Sequence, residues 1–243
     1  DIDHPHDLNT EPGITTDEVA YLLEALQHTF PHLALTAQDV VSTYAGVRPV
    51  VSSGAADPSK ETRDHIVLNE QGLITVTGGK LTTFRAIALD TLKHAVKHNP
   101  GLHLNWDEQA ILAPQSGGRA LARLDATEQT RLLGRYGDRA EAFVQQARAT
   151  ECMAIPGTRI WWAELRWIAQ HESVHHLDDL LLRRTRLGLV RPQGAQALLP
   201  RIQPLIQSEL AWDDARWQAE CQRYQDIIAR CYSAPAALKD AQP

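Results

Sequence analysis

The sequence predicts an α+β fold that is mostly helical, and three observations carry that expectation. "IVLNEQGLITVT" is two apolar runs around a turn ending in Gly72, the pattern of a hairpin. The diglycine after it leads directly into "KLTTFRAIALDTLKHAV", where Leu89, Leu92 and Val96 share one side of a helix. From about residue 106 onward the patterning is helical, broken at "AIPGT", "VRPQG" and "LPRIQP", with no stretch that reads as a strand. The chain therefore divides into a mixed portion, residues 1–105, and an all-helical portion, residues 106–243.

The elements follow in order. Thr15 and Glu18 form a capping box, and Val19, Leu22, Leu23, Leu26 and Phe30 recur at helical spacing until Pro31 stops the helix. A second cap signal, Thr36 with Asp39, leads into "DVVSTYAGVRPVV". That segment favours extended backbone around Arg48, because a residue before proline is pushed out of the helical region. "SSGAADPSKETRDH" is a polar loop, "APQSGGRA" a linker, and "SAPAALKDAQP" a tail expected to fray. The region from Trp106 onward also carries Trp161, Trp162, Trp167, Trp212 and Trp217. They are expected in a core, the alternative being a helical module that meets partners through them.

Composition narrows the function. Lysine and arginine number 24 against 30 acids, a formal charge of −6, so the chain as a whole does not attract nucleic acid or an anionic membrane surface. Any anion site must be local. Cys152, Cys221 and Cys231 are an odd set without C-x-x-C spacing, which speaks against a disulfide framework or a zinc ribbon and suits the cytoplasm. No apolar run approaches bilayer-spanning length. "DIDHPHDLNTEPG" opens without Met and reads as an interior loop, so a fragment of a longer chain is expected.

Two stretches compete for the chemistry. His171, Glu172 and His175 spell H-E-x-x-H, which on one helix face would present two imidazoles to a zinc ion and a carboxylate to its water, as in a metallopeptidase. No histidine follows His176 to complete the ligand set, and Asp178 stands where the longer metzincin pattern needs glycine. Helix-surface pairs account for the same letters: Glu172 with His176, His175 with Asp179, and Asp179 with Arg183. The second stretch, "LITVTGGKLTTFR", is a strand, a diglycine turn and a helix start, with Lys80 at the turn and Thr82 or Thr83 at the cap. Glycines let backbone approach a ligand, helix-start N–H groups favour an anion or carbonyl, and a lysine adds a point charge. It is not a Walker A loop, since Ile74 and Leu81 occupy positions that need Gly and Ser or Thr.

"STYAGVRPV", "DPSKETRDH" and "GLITVTGGKLTTFRAIA", in that order and spacing, resemble the C-terminal half of FAD-dependent glycerol-3-phosphate dehydrogenases and the related glycerophosphate oxidases. "HHLDDLLLRRTRLGL" is similar to a D-D-x-L-x-R-R-T run of that family's C-terminal domain. The resemblance implies that residues 1–105 end the FAD- and substrate-binding region and that 106–243 form a helical C-terminal domain. It implies FAD contacts from Gly78, Gly79, Lys80, Leu81 and Thr82, and a grip on the substrate phosphate by Arg48 and Lys80, with Arg63 completing a positive pocket. The reaction implied is oxidation of glycerol 3-phosphate to dihydroxyacetone phosphate, with electrons passed from FAD to quinone. Its implied partners are the N-terminal half of the same enzyme and the quinone, with a homodimer allowed. Quinone as acceptor implies peripheral association with the inner face of the cytoplasmic membrane. The resemblance also places "QHESVHHLDD" on a helix that carries no metal. The family's G-x-G-x-x-G turn and its catalytic histidine have no counterpart here, so this polypeptide alone is expected to be inactive. Phe84 stands where the family most often has tyrosine, and is left out of the implied site.

Overall fold

The computed structural model describes residues 9–47, 64–105 and 118–235 of the chain. In chain order these form helix α1 (Thr16–Thr29), strands β1 (His65–Glu70) and β2 (Leu73–Gly78), and helix α2 (Phe84–His98). Six further helices follow among the described residues: α3 (Ala126–Tyr136), α4 (Ala140–Gln146), α5 (Trp162–His171), α6 (Leu187–Val190), α7 (Leu199–Ile206) and α8 (Asp214–Cys231). The fold is α+β and mostly helical. It divides into two compact units, one of Asp1–Thr10 with Val47–Leu112, the other of Glu11–Gly46 with Ala113–Pro243.

In the smaller unit, β1 and β2 pair antiparallel from His65 opposite Gly78 to Glu70 opposite Leu73. The two residues between them, Gln71 (φ 52°) and Gly72 (φ 88°), both lie at positive φ, the turn geometry whose twist matches that of paired strands. A 3-10 turn, Leu81–Thr83, precedes α2. Thr83 does not cap the helix as the sequence suggests: its backbone (φ −104°, ψ 14°) is not extended, and its hydroxyl instead donates to the Lys80 carbonyl at 2.9 Å. Of the three apolar residues expected on one side of α2, Leu89 and Val96 are half-buried and Leu92 is exposed. No described residue of this unit is fully buried.

The larger unit starts with α1, whose capping box is present: Thr15 N–H donates to Glu18 Oε2 at 2.8 Å and Glu18 N–H to Thr15 Oγ1 at 3.3 Å. Of its apolar stripe only Val19 is buried; Leu22, Leu26 and Phe30 are exposed. Thr36 and Asp39 make a single 3-10 turn in which the Asp39 carboxylate accepts from the Thr36 N–H and hydroxyl. Two long-range bonds tie this segment to the later helices: Thr43 N–H to Tyr232 O at 3.1 Å and the Ser42 hydroxyl to Leu189 O at 2.6 Å.

Helix α5 is the shared wall of two hydrophobic clusters. Trp167, with the preceding Trp161, packs with Leu132 and Tyr136 of α3 and Phe143 of α4. Trp162, Leu165 and Ile168 pack with Ile202 and Ile206 of α7 and with Trp217, Tyr224 and Ile228 of α8. The helical repeat sends these two sets to different faces, so one helix closes both clusters. Trp161, Trp162, Trp167 and Trp217 are buried and Trp212 packs against the second cluster, which makes them core residues rather than a surface for partners. Glu164 is 1% exposed yet fully used. It accepts from the Trp161 N–H and the Tyr136 hydroxyl, each at 2.8 Å, and pairs with Arg131 at 2.8 Å. Burial, and then this carboxylate, push the Tyr136 phenol pKa well above its usual value.

Candidate functional site

The diglycine turn is where backbone conformation and crowding both exclude a side chain. Gly78 and Gly79 lie at φ 78° and 79°, a region that L side chains rarely occupy. A Cβ on Gly78 would meet the Asp64 carbonyl oxygen at 2.6 Å, and one on Gly79 would meet Ile87 Cδ1 at 2.5 Å. β2 therefore ends in a bend that only glycine fills, and the chain turns there toward α2.

Gly78, Gly79, Lys80 and Leu81 line one open, largely apolar groove together with Val76, Phe84, Ile87 and Leu92. Leu81 is 88% exposed and Phe84 53% exposed, so apolar surface borders the lysine. Lys80 is exposed and extended (φ −123°, ψ 147°), with the 3-10 turn starting immediately after it. The first N–H groups of a helical turn lack internal partners, so those of Leu81 and Thr82 suit an electron-rich ligand atom. Thr82 is exposed and does not line the groove. Arg48 and Arg63 lie outside the described residues.

Sequence reasoning missed the supports behind this turn. His65 Nε2 lies 3.0 Å from Asp90 Oδ2, joining β1 to α2, and His94 Nδ1 lies 2.9 Å from the Asp90 carbonyl oxygen. The bond from His65 holds the Asp90 carboxyl below its usual pKa. The 25-residue separation hides the pair, although the placing of Asp90 one turn before His94 was visible in the helical spacing. Phe84, left out on the ground of a missing hydroxyl, is among the residues that line the groove.

The H-E-x-x-H stretch is not on a helix. α5 ends at His171, Glu172 is its C-cap, and Ser173 at φ 50° turns the backbone away, so His171 and His175 are not one helical turn apart. Helical backbone resumes only at Leu177 and becomes π-helical over Asp179–Arg184, where Thr185 N–H bonds the Leu180 carbonyl at 3.0 Å. The His171 ring lies 4.0 Å from that of Trp167, and Glu172 pairs with Arg135 at 3.6 Å. Two of the three expected helix-surface pairs are therefore replaced. His176 bonds Glu220 at 2.9 Å instead of Glu172, and Asp179 receives the His175 N–H at 3.0 Å rather than its imidazole; Asp179 does pair with Arg183, at 3.2 Å. Among the described residues no group of three or more His, Cys, Asp or Glu side chains is placed to hold a metal ion. No described helix is long and apolar enough to cross a membrane.

Comparison with known proteins agrees with this architecture. The mitochondrial glycerol-3-phosphate dehydrogenase of Bos taurus is 31% identical over 242 residues, covering 90% of this chain and 32% of its own length. Glycerol-3-phosphate dehydrogenase 1 of Mycobacterium tuberculosis is 33% identical over 201 residues, covering 78% of this chain and 38% of its own. A mitochondrial glycerol-3-phosphate dehydrogenase of Arabidopsis thaliana is 27% identical, covering 87% and 38%. The chain thus spans about a third of the length of the curated relatives it matches. No solved structure matches it. Residues 83–217, more than half of the chain, match the family model described as the C-terminal domain of alpha-glycerophosphate oxidase, and the chain belongs to that family.

Proposed function

We propose that this chain is part of a flavin-dependent oxidoreductase that oxidises glycerol 3-phosphate to dihydroxyacetone phosphate, passing electrons from FAD to quinone. The observation that carries the reading is Lys80 at the rim of an apolar groove whose bend excludes every side chain larger than glycine's. The names of the relatives supply the substrate class. The groove fits a flavin chemically: apolar walls from Val76, Leu81 and Phe84 suit the flat ring, and the backbone at Gly78–Leu81 can approach its polar edge. When bound, FAD would accept the hydride released from C2 of the substrate.

The residues of this chain bind and orient. The Lys80 ammonium holds the substrate phosphate as a point charge, and Arg48 adds a bidentate fork. Arg63 contributes positive charge at the flavin, stabilising the negative charge that builds as hydride arrives. The base that takes the hydroxyl proton lies in the N-terminal half of the enzyme. In this reading residues 1–105 close the flavin and substrate region and 106–243 form a helical domain. The N-terminal half would also cover the apolar side chains that Leu73, Leu81 and Phe84 expose. The enzyme would work in the cytoplasm at the inner face of the cytoplasmic membrane, where quinone is reached, with no nucleic acid partner and a second copy of itself as its assembly partner.

Arg48→Ala in the flavin-loaded enzyme tests the assignment. Substrate KM is expected to rise by about tenfold or more, as for loss of a charge-assisted bidentate contact, with flavin content unchanged. An unchanged KM would remove Arg48 from the phosphate site.

A further inference from the structure

The turn that carries Lys80 is tied from both sides by one side-chain pair. His65 opens β1 opposite Gly78 in the hairpin register, and a Cβ on Gly79 would stand 3.3 Å from the His65 Cβ. The root of the imidazole is thus part of the wall against which the diglycine folds. Its Nε2 meets Asp90 Oδ2 at 3.0 Å. An ionised carboxylate only accepts, so His65 Nε2–H is the donor. The backbone approaches the turn along β2, which is paired with the strand of His65, and leaves it along α2, which carries Asp90. The pair therefore joins the arm before Lys80 to the arm after it. Where no described residue is fully buried, a polar tie between a 27%-exposed imidazole and a 42%-exposed carboxylate adds a directional restraint that apolar packing supplies only weakly.

We propose that His65 and Asp90 are positioning residues that clamp the Gly78–Lys80 turn in its ligand-binding shape without themselves touching ligand. This rests on the reading of that turn as a contact for phosphate and flavin. The clamp acts by preorganisation: a turn already held in place loses less freedom when it binds.

The test has two arms. In the 243-residue chain, amide hydrogen exchange at Thr83 and Phe84, whose N–H groups bond the Lys80 and Leu81 carbonyls, is expected to quicken about three- to fivefold in His65→Leu and Asp90→Ala, the effect of losing a partly exposed charged pair. His65→Gln, whose amide can still donate to Asp90, should restore protection, and amides of α5 should not change. Equal exchange at the turn in His65→Leu and the unsubstituted chain would overturn the clamp. In the flavin-loaded enzyme, His65→Leu should raise KM for glycerol 3-phosphate about fivefold at nearly constant kcat, with recovery in His65→Gln. Faster exchange with an unchanged KM would overturn the positioning role. An unsubstituted enzyme that takes up no flavin would instead overturn the functional reading, a result separate from the exchange arm.

Discussion

The two units solve the problem of stability differently. The helical unit buries Trp162, Leu165, Ile168, Ile202 and Tyr224 to 2% exposure or less, while the hairpin and α2 leave Leu73, Leu81 and Phe84 at 67%, 88% and 53% exposed. Charge follows the same division. Between residues 118 and 235 every lysine-or-arginine position is arginine, whereas the hairpin-helix segment carries Lys80, Lys93 and Lys97. The arginines are structural: Arg201 lies 4.0 Å over Trp162, Arg166 bridges Glu151 and Glu209, and Arg183 and Arg223 both hold the buried Asp178. A planar guanidinium stacks flat on a ring and presents five donors in a rigid fork, whereas an ammonium is a compact, strongly hydrated point charge. One unit supplies its own core, and the other leaves large apolar side chains exposed.

The largest expected effect breaks that contrast from the stable side. Trp162→Ala removes a side chain that is 2% exposed and should cost about 3–5 kcal/mol in a denaturant titration followed by α-helical signal. A loss near that expected for an exposed site would mean that the clusters around α5 are not the source of stability.

Next comes the acid dependence of the helical unit. Burial opposes the charge of Asp178, but hydrogen bonds from Arg183 and Arg223 outweigh it and lower its pKa. A carboxyl with a lower pKa in the folded state contributes stability that is complete above its unfolded pKa of about 4 and disappears as pH falls through the folded value. Melting temperature should therefore fall below about pH 4, and Asp178→Asn should flatten that limb while costing roughly 2 kcal/mol at neutral pH. The same acid slope in the variant would assign the effect to other carboxylates.

Gly79→Ala should have the smallest global effect, about 1 kcal/mol or less on unfolding of the helical unit, because the strain of a positive φ is confined to the hairpin-helix segment. At the turn itself it should sharply reduce flavin retention in the loaded enzyme. Full retention would show that the groove tolerates a methyl beside Ile87 and that the close approach is not used.

Much of this was legible from local patterns. The Thr15–Glu18 box, the hairpin turn at Gly72 and the diglycine are short-range features, and each is in place because its cause lies within a few residues. The zinc-like letters failed for the same reason in reverse. H-E-x-x-H presumes an unbroken helix, but the Glu220 carboxylate of α8 holds both His176 and the Leu177 N–H, and Ser173 turns the chain. Nothing near residue 171 announces a partner 44 positions away.

Helical character, the hairpin, the glycine bend and the residue types that can hold an anion all follow from neighbouring residues, because backbone propensity, turn chemistry and charge are local. That α5 closes two clusters, that residues 11–46 join the helical unit, and that His65 meets Asp90 behind the turn emerges only on folding. Those facts depend on which distant surfaces exclude water from each other, and a one-dimensional pattern does not record that.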